Sequence, residues 1–157
     1  MAMRISEHVS YNEAVHSDTA KRLGIVNVPN EEQLSNMVVT VEKIFEPIRN
    51  KFNVPIFISS FFRSKQLNRA IGGSNSSQHC EGKAMDIDSD RYNEITNSDI
   101  FYYIKNNVDF DQLIWEFGTS INPDWVHASY ESPTKNRKEI LVAFKQGKKT
   151  KYRFYNG

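Results

Sequence analysis

Three short stretches hold the residues that could do chemistry. The first runs Ser77-Gln78-His79-Cys80-Glu81-Gly82-Lys83-Ala84-Met85-Asp86, the second is Asp124-Trp125-Val126-His127, and the third is Ser60-Phe61-Phe62-Arg63. In the first, His79 stands at the mouth of a glycine-containing loop, and Asp86 falls in the strand-like run that follows. Strand alternation puts Asp86 on one face with Ala84 and Asp88, in a run that is otherwise small and apolar. A carboxylate buried there needs a partner, because an unpaired buried charge is very costly. A divalent metal shared with an imidazole would be such a partner. A capping aspartate beside a loop histidine fits the same two residues.

His127 offers a third ligand. Two histidines and one carboxylate with an open position form a common catalytic zinc set. An ordinary strand histidine in the run WVHASY is the other reading. Asp124 lies three residues earlier, so strict alternation would put it on the opposite face. A bend at Pro123-Asp124 would turn it inward, as a general base for the water that zinc activates. Without that bend it is an Asn-Pro-Asp turn residue. Arg63 follows a strand and opens a short helix. Its guanidinium suits a substrate carboxylate, and taken alone it reads more readily as a surface charge. Glu116, in the apolar run LIWEF, is a candidate partner to a zinc-bound histidine and the fallback base if Asp124 points away.

The elements that must position these groups follow from pattern. Asn30 caps a long helix with Gln33 as capping-box partner. Leu34, Met37, Val38, Val41, Ile44, Phe45, Ile48 and Phe52 then recur at steps of three and four, one apolar stripe for a core. Pro47 should kink that helix or restart its last turns. Ser17 caps a helical turn that Gly24 stops. Short strands are expected over 55–59, 83–88, 113–117 and 125–130, with helices over 64–71 and 99–108, the latter capped by Ser98. A hairpin of 140–144 with 152–155 turns around Gln146-Gly147. Helices early and strands late predict an α+β fold with a mainly antiparallel sheet packed by helices. No linker or repeat divides the chain, so one domain over 1–157 is expected, with 1–29 packing on it.

Composition narrows the chemistry. The 157 residues are 39% hydrophobic and 25% charged, ordinary for a globular chain. Twenty basic against nineteen acidic residues leave a net charge of +1, which gives no field for nucleic acid. The single cysteine, Cys80, excludes an intrachain disulfide and any site needing two thiolates, so a metal must use histidine and carboxylate. Cys80 itself reads as a small buried residue. The first ten residues lack a signal-peptide core, and no apolar run is long enough to span a membrane. The expectation is a chain made in the cytoplasm without membrane insertion. The lysine-rich stretch 145–153 reads as a solvated hairpin edge that guards against strand pairing.

The stretch Ser77-x-His79-x-x-Gly82-x-Ala84-x-Asp86 resembles the SxHxxGxAxD signature of the LAS zinc peptidases, which include D-Ala-D-Ala carboxypeptidases, VanX-type dipeptidases and phage L-alanyl-D-glutamate endolysins. Asp124-x-x-His127 is similar to that family's [DE]xxH element, in the expected order. The segments SDTAKRLGIVNVP, EPIR, ISSFFRSKQLNRAIGG and LIWEFG resemble the carboxypeptidase-type branch of bacteria and phages. The resemblance implies a hedgehog/DD-peptidase-like fold and one zinc ion on His79, Asp86 and His127. It also implies Asp124 as catalytic base, Arg63 acting on the scissile carbonyl or a substrate carboxylate, and Ser77 bonding substrate. The implied partner is peptidoglycan peptide, acted on by a monomer in the cell wall after release. The implied reaction is D-Ala-D-Ala carboxypeptidase, with an endolysin-type endopeptidase next. A non-catalytic wall-binding module of a phage is the reading from another class. Phe61 and Phe62 depart from the Ser-Gly-Tyr-Arg form of many members, which would alter the pocket.

Overall fold

Asn30 opens the first long helical stretch by accepting from the Gln33 amide, while the Gln33 side chain returns to the Asn30 amide. In the computed structural model, which describes residues 3–92 and 94–157, helix α3 then runs Glu31–Thr40. Helix α4 runs Glu46–Phe52, and a π turn over Val41–Phe45 joins the two. Pro47 explains the joint. It offers no N–H, and its ring would collide with a carbonyl one turn back, so the ladder widens just ahead of it. The Glu46 amide duly reaches back to the Val41 carbonyl. The apolar stripe faces inward as its period predicts, with Met37, Val41, Ile44 and Ile48 fully buried. Burying each such side chain is worth about 1.5–3 kcal/mol.

Ahead of this stretch lie α1, Tyr11–Val15, and α2, Asp18–Leu23. α2 has the expected Ser17 cap and left-handed Gly24, whereas α1 and its Ser10/Glu13 capping box were not anticipated. The N-terminal segment puts Ile5, Val9 and Ala14 into the core. Strand β1 (Ile58–Ser60) and helix α5 (Lys65–Ala70) follow, then β2 (Ala84–Ile87) and α6 (Asn97–Asn107). α6 is capped by Thr96 with Asp99 completing the box, which corrects the expected Ser98 cap. Ser98 instead donates to the Ile121 carbonyl, and its amide donates to Asn122, tying the helix start to the loop before β4.

The sheet is completed by β3 (Gln112–Glu116), β4 (Trp125–Ser129), β5 (Glu139–Gln146) and β6 (Lys149–Phe154). The six strands lie in the order β1-β2-β4-β3-β5-β6. All neighbours are antiparallel except β3 and β5, so the α+β architecture is mainly antiparallel, as expected. The parallel pair arises because the chain leaves β3, returns as β4 on one side of it, and comes back as β5 on the other. One face of the sheet carries Met85, Ile87, Val126, Ala128, Leu113 and Trp115, packed against the stripe and α6 as the main core. The opposite face holds the polar residues.

Candidate metal centre

Period-two alternation assigns the polar face. Register pairs Asp86 with His127 across β2 and β4, His127 with Ile114 across β4 and β3, and Glu116 with Trp125 two residues along on the same face. All five side chains line a single open cleft of about 690 Å³ on this face. His79 joins them from a short 3-10 turn, Gln78–Glu81, whose start Ser77 caps by accepting from the His79 amide. Gly82 ends that turn with φ +75°, and a Cβ there would sit 2.6 Å from the Gln33 carbonyl oxygen, so only glycine fits. Helix α3 clamps the same turn. Gln33 donates to the Cys80 carbonyl, Asn36 to that of Glu81 and Thr40 to that of Gly82, at 3.1, 2.9 and 2.9 Å. The long helix therefore does more than fill the core. It holds the loop that presents His79.

The three groups meet at one carboxylate oxygen. His127 Nδ1 is 3.1 Å and His79 Nε2 3.4 Å from Asp86 Oδ1, and ligand atoms of all three residues lie within 4.8 Å of one another. On its other side, His79 Nδ1 bonds the Phe61 carbonyl at 2.7 Å, which fixes the tautomer and leaves Nε2 bare toward Asp86. His79 Nε2 lacks hydrogen-bond alignment to Asp86 despite the 3.4 Å separation, and the buried His127 Nε2 has no partner among the described residues either. Buried imidazole nitrogens left bare beside a carboxylate are the donor set that a divalent ion fits.

Electrostatics agree with that set. Burial holds the His79 imidazole neutral against the pull of Asp86, and neutral imidazole is the ligating form. Burial alone would push the Asp86 carboxyl up, but the two imidazoles drawn up to its Oδ1, His127 with a hydrogen bond of 3.1 Å, hold it far below the usual carboxylate range. Arg63 adds its Nη2 to Asp86 Oδ2 at 3.3 Å. Its remaining guanidinium nitrogens donate to Ser60 Oγ and Asn68 Oδ1, so this side chain is locked along one wall of the cleft.

A family profile described as Peptidase M15 matches residues 7–129. The chain belongs to this family. Peptidases of the M15 family are zinc-dependent metallopeptidases, and the buried His79, Asp86 and His127 can hold the one ion required. No curated protein matches the chain. The M15 match ends before β5, yet the β5–β6 hairpin lines the cleft with Leu141, Lys145, Thr150 and Tyr152.

The two remaining carboxylates of interest part company here. Glu116 lines the cleft, and burial, reinforced by the charge of Asp86, pushes its carboxyl up to about 7. Asp124 is exposed and is not among the residues lining the cleft. β4 begins at Trp125, and since Trp125 and His127 both face the cleft, Asp124 has the other parity. Its backbone is nevertheless tied in, the amide to the Glu116 carbonyl and the carbonyl to Asn97 Nδ2. Asp88 stands outside the metal group and accepts from Asn97 Nδ2 at 3.0 Å. Phe61 and Phe62 are buried and line none of this cleft. The Phe61 carbonyl bond to His79 carries no signal in residue types, because a backbone oxygen is the same in every residue.

Proposed function

We propose that this M15 peptidase hydrolyses peptidoglycan stem peptides, most simply as a D-Ala-D-Ala carboxypeptidase. The observation that carries the reading is the convergence of His79, Asp86 and His127 on the floor of an open cleft that also contains Glu116. Zinc held there supplies Lewis-acid polarisation of a carbonyl and lowers the pKa of water. Glu116 is the residue we assign to accept the proton and return it to the leaving amine. A carboxyl pushed up to about 7 is well matched to both steps. Phe61 holds His79 in its ligating tautomer, and Arg63 holds Asp86 and borders the substrate path. The Ser77 oxygen accepts from the His79 amide, while its O–H is the donor we assign to substrate.

The test supplies the zinc-loaded protein with a D-Ala-D-Ala-terminated pentapeptide and with purified sacculi, then identifies products by mass spectrometry. Release of free D-Ala, abolished by a chelator and restored by zinc, is the expected result. An internal cut would move the specificity to the endolysin-type endopeptidase. Tight binding to sacculi without any product would replace the enzyme reading with a non-catalytic wall-binding module.

A further inference from the structure

The hairpin of β5 and β6 lies beyond the M15 match, yet it builds the wall of the cleft farthest from His79. Register makes this wall one continuous row. Glu116 pairs with Ala143, and Ala143 pairs with Tyr152, so the small alanine leaves the tyrosine ring open access along the row toward Glu116. The acidic groups are felt there. Burial, then Glu116 and Asp86, push the Tyr152 phenol up, so it remains a hydrogen-bond donor. Lys145 lies two residues beyond Ala143 on the same face, about 7 Å along the strand. That is close to the span of two extended peptide residues.

Lys145 differs from the other cations of the cleft. Arg63 is paired with Asp86, and Arg137 with Asp111 at 2.8 Å and Glu139 at 3.6 Å. Among the described residues Lys145 has no carboxylate within ion-pair reach. It is nonetheless held in place. Its Nζ donates to Thr150 Oγ1 at 2.8 Å and stands 5.2 Å from the centre of the Phe117 ring. A positioned, carboxylate-free ammonium in a cleft is suited to an anionic ligand. The expected solvated edge is therefore incomplete as a description of this strand. Lys151 fits it, because it stands one register step from Thr150 and lines no part of the cleft.

We infer that the C-terminal hairpin is the specificity wall of this peptidase, with Lys145 binding a carboxylate of the substrate peptide within about two residues of the bond cleaved. The inference rests on the peptidase reading above for its substrate. The carboxylate is either the chain terminus or a side group, and the experiment separates these. The probe is L-Ala-γ-D-Glu-L-Lys-D-Ala-D-Ala in four forms: both carboxylates free, each one amidated in turn, and both amidated. Binding to the zinc-loaded full chain is read in stopped flow by tryptophan fluorescence before turnover, since Trp125 lines the cleft. Products are identified later in the same samples.

Amidation of the recognised carboxylate should weaken binding about threefold to tenfold, as for a charged contact made by an exposed lysine at the cleft wall. Lys145→Met should erase that preference, whereas Lys145→Arg and the control Lys151→Met should keep it. Whichever single amide removes the preference identifies the carboxylate. A wild-type protein indifferent to both amides, or a folded Lys145→Met that still discriminates, overturns the inference. Cleavage without a Lys145-dependent preference would leave the peptidase reading standing alone. A Lys145-dependent preference without products would keep the wall and remove the peptidase.

Discussion

Met85 and Asp86 are neighbours in one strand, and both are buried, but they face opposite environments. Met85 belongs to a face where each side chain meets others of its kind beneath the long helix and α6. Asp86 belongs to a face where two imidazoles, a guanidinium and a second carboxyl are gathered around it with bare nitrogens. The first face contributes stability through apolar area removed from water. The second spends some of that stability to keep polar groups desolvated and only partly satisfied. The same alternation that separates them lets one short strand serve both.

Substituting the two neighbours should separate these roles most sharply. Asp86→Ala should lower zinc affinity on the order of a hundredfold or more and leave no detectable peptide hydrolysis. Met85→Ala should instead cost about 2–5 kcal/mol in urea unfolding while its folded fraction still binds one zinc. Metal analysis of both proteins decides the matter, and a Met85→Ala protein that folds but rejects zinc would break the division between the faces.

The two carboxylates give the next largest effect. Glu116→Gln should reduce kcat about 10²- to 10⁴-fold with zinc retained. Asp124→Asn, outside the cleft, should change kcat less than about threefold, as expected of a surface substitution. If the two results are exchanged, the base is Asp124 and the cleft must close around it when substrate binds.

Glu116 also predicts a pH effect in the metal-free protein. In the fold its carboxyl titrates near 7, against an ordinary value of 4.5 in the unfolded chain. Between these values the folded protein binds more protons, so stability should fall as pH rises from about 4.5 to about 7 and then level off. The fall attributable to this group is about 3 kcal/mol. Urea melts of chelated wild type and Glu116→Gln across this interval would show it, and a variant as pH-sensitive as wild type would remove Glu116 from the desolvated set.

The smallest effect tests the apolar side. Thr96→Ala should cost about 1 kcal/mol through loss of the α6 cap. Ser98→Ala should leave the helix cap intact and loosen the Ile121–Asn122 loop instead, which amide exchange at Asn122 would report.

Much of this molecule was legible before its structure. The Asn30/Gln33 box, the stripe from Leu34 to Phe52 and the Gly24 stop are local rules, and each holds. The three ligand positions were readable through the resemblance to the SxHxxGxAxD and [DE]xxH elements, whereas the residue types alone left a capping aspartate and ordinary histidines open. The Thr96 cap was within reach, since Asp99 stands at the capping-box distance. Ser98 looked equally good because its competing partners, Ile121 and Asn122, are distant in the chain. The parallel β3–β5 pair, the Phe61 carbonyl behind His79 and the clamp of α3 on the His79 turn had no local signal.

The sequence by itself determined which donor atoms this protein has and the period at which they alternate. It left open which face each strand would turn toward the cleft, and so whether Asp124 or Glu116 would share it with the metal ligands. Only the tertiary structure decided that. Alternation fixes the relative sides of neighbours in one strand, whereas the register between distant strands is set by burial of the apolar face. Once Val126 and Leu113 were packed inward, His127 and Glu116 had to face the cleft, and Asp124 fell at the strand's exposed end.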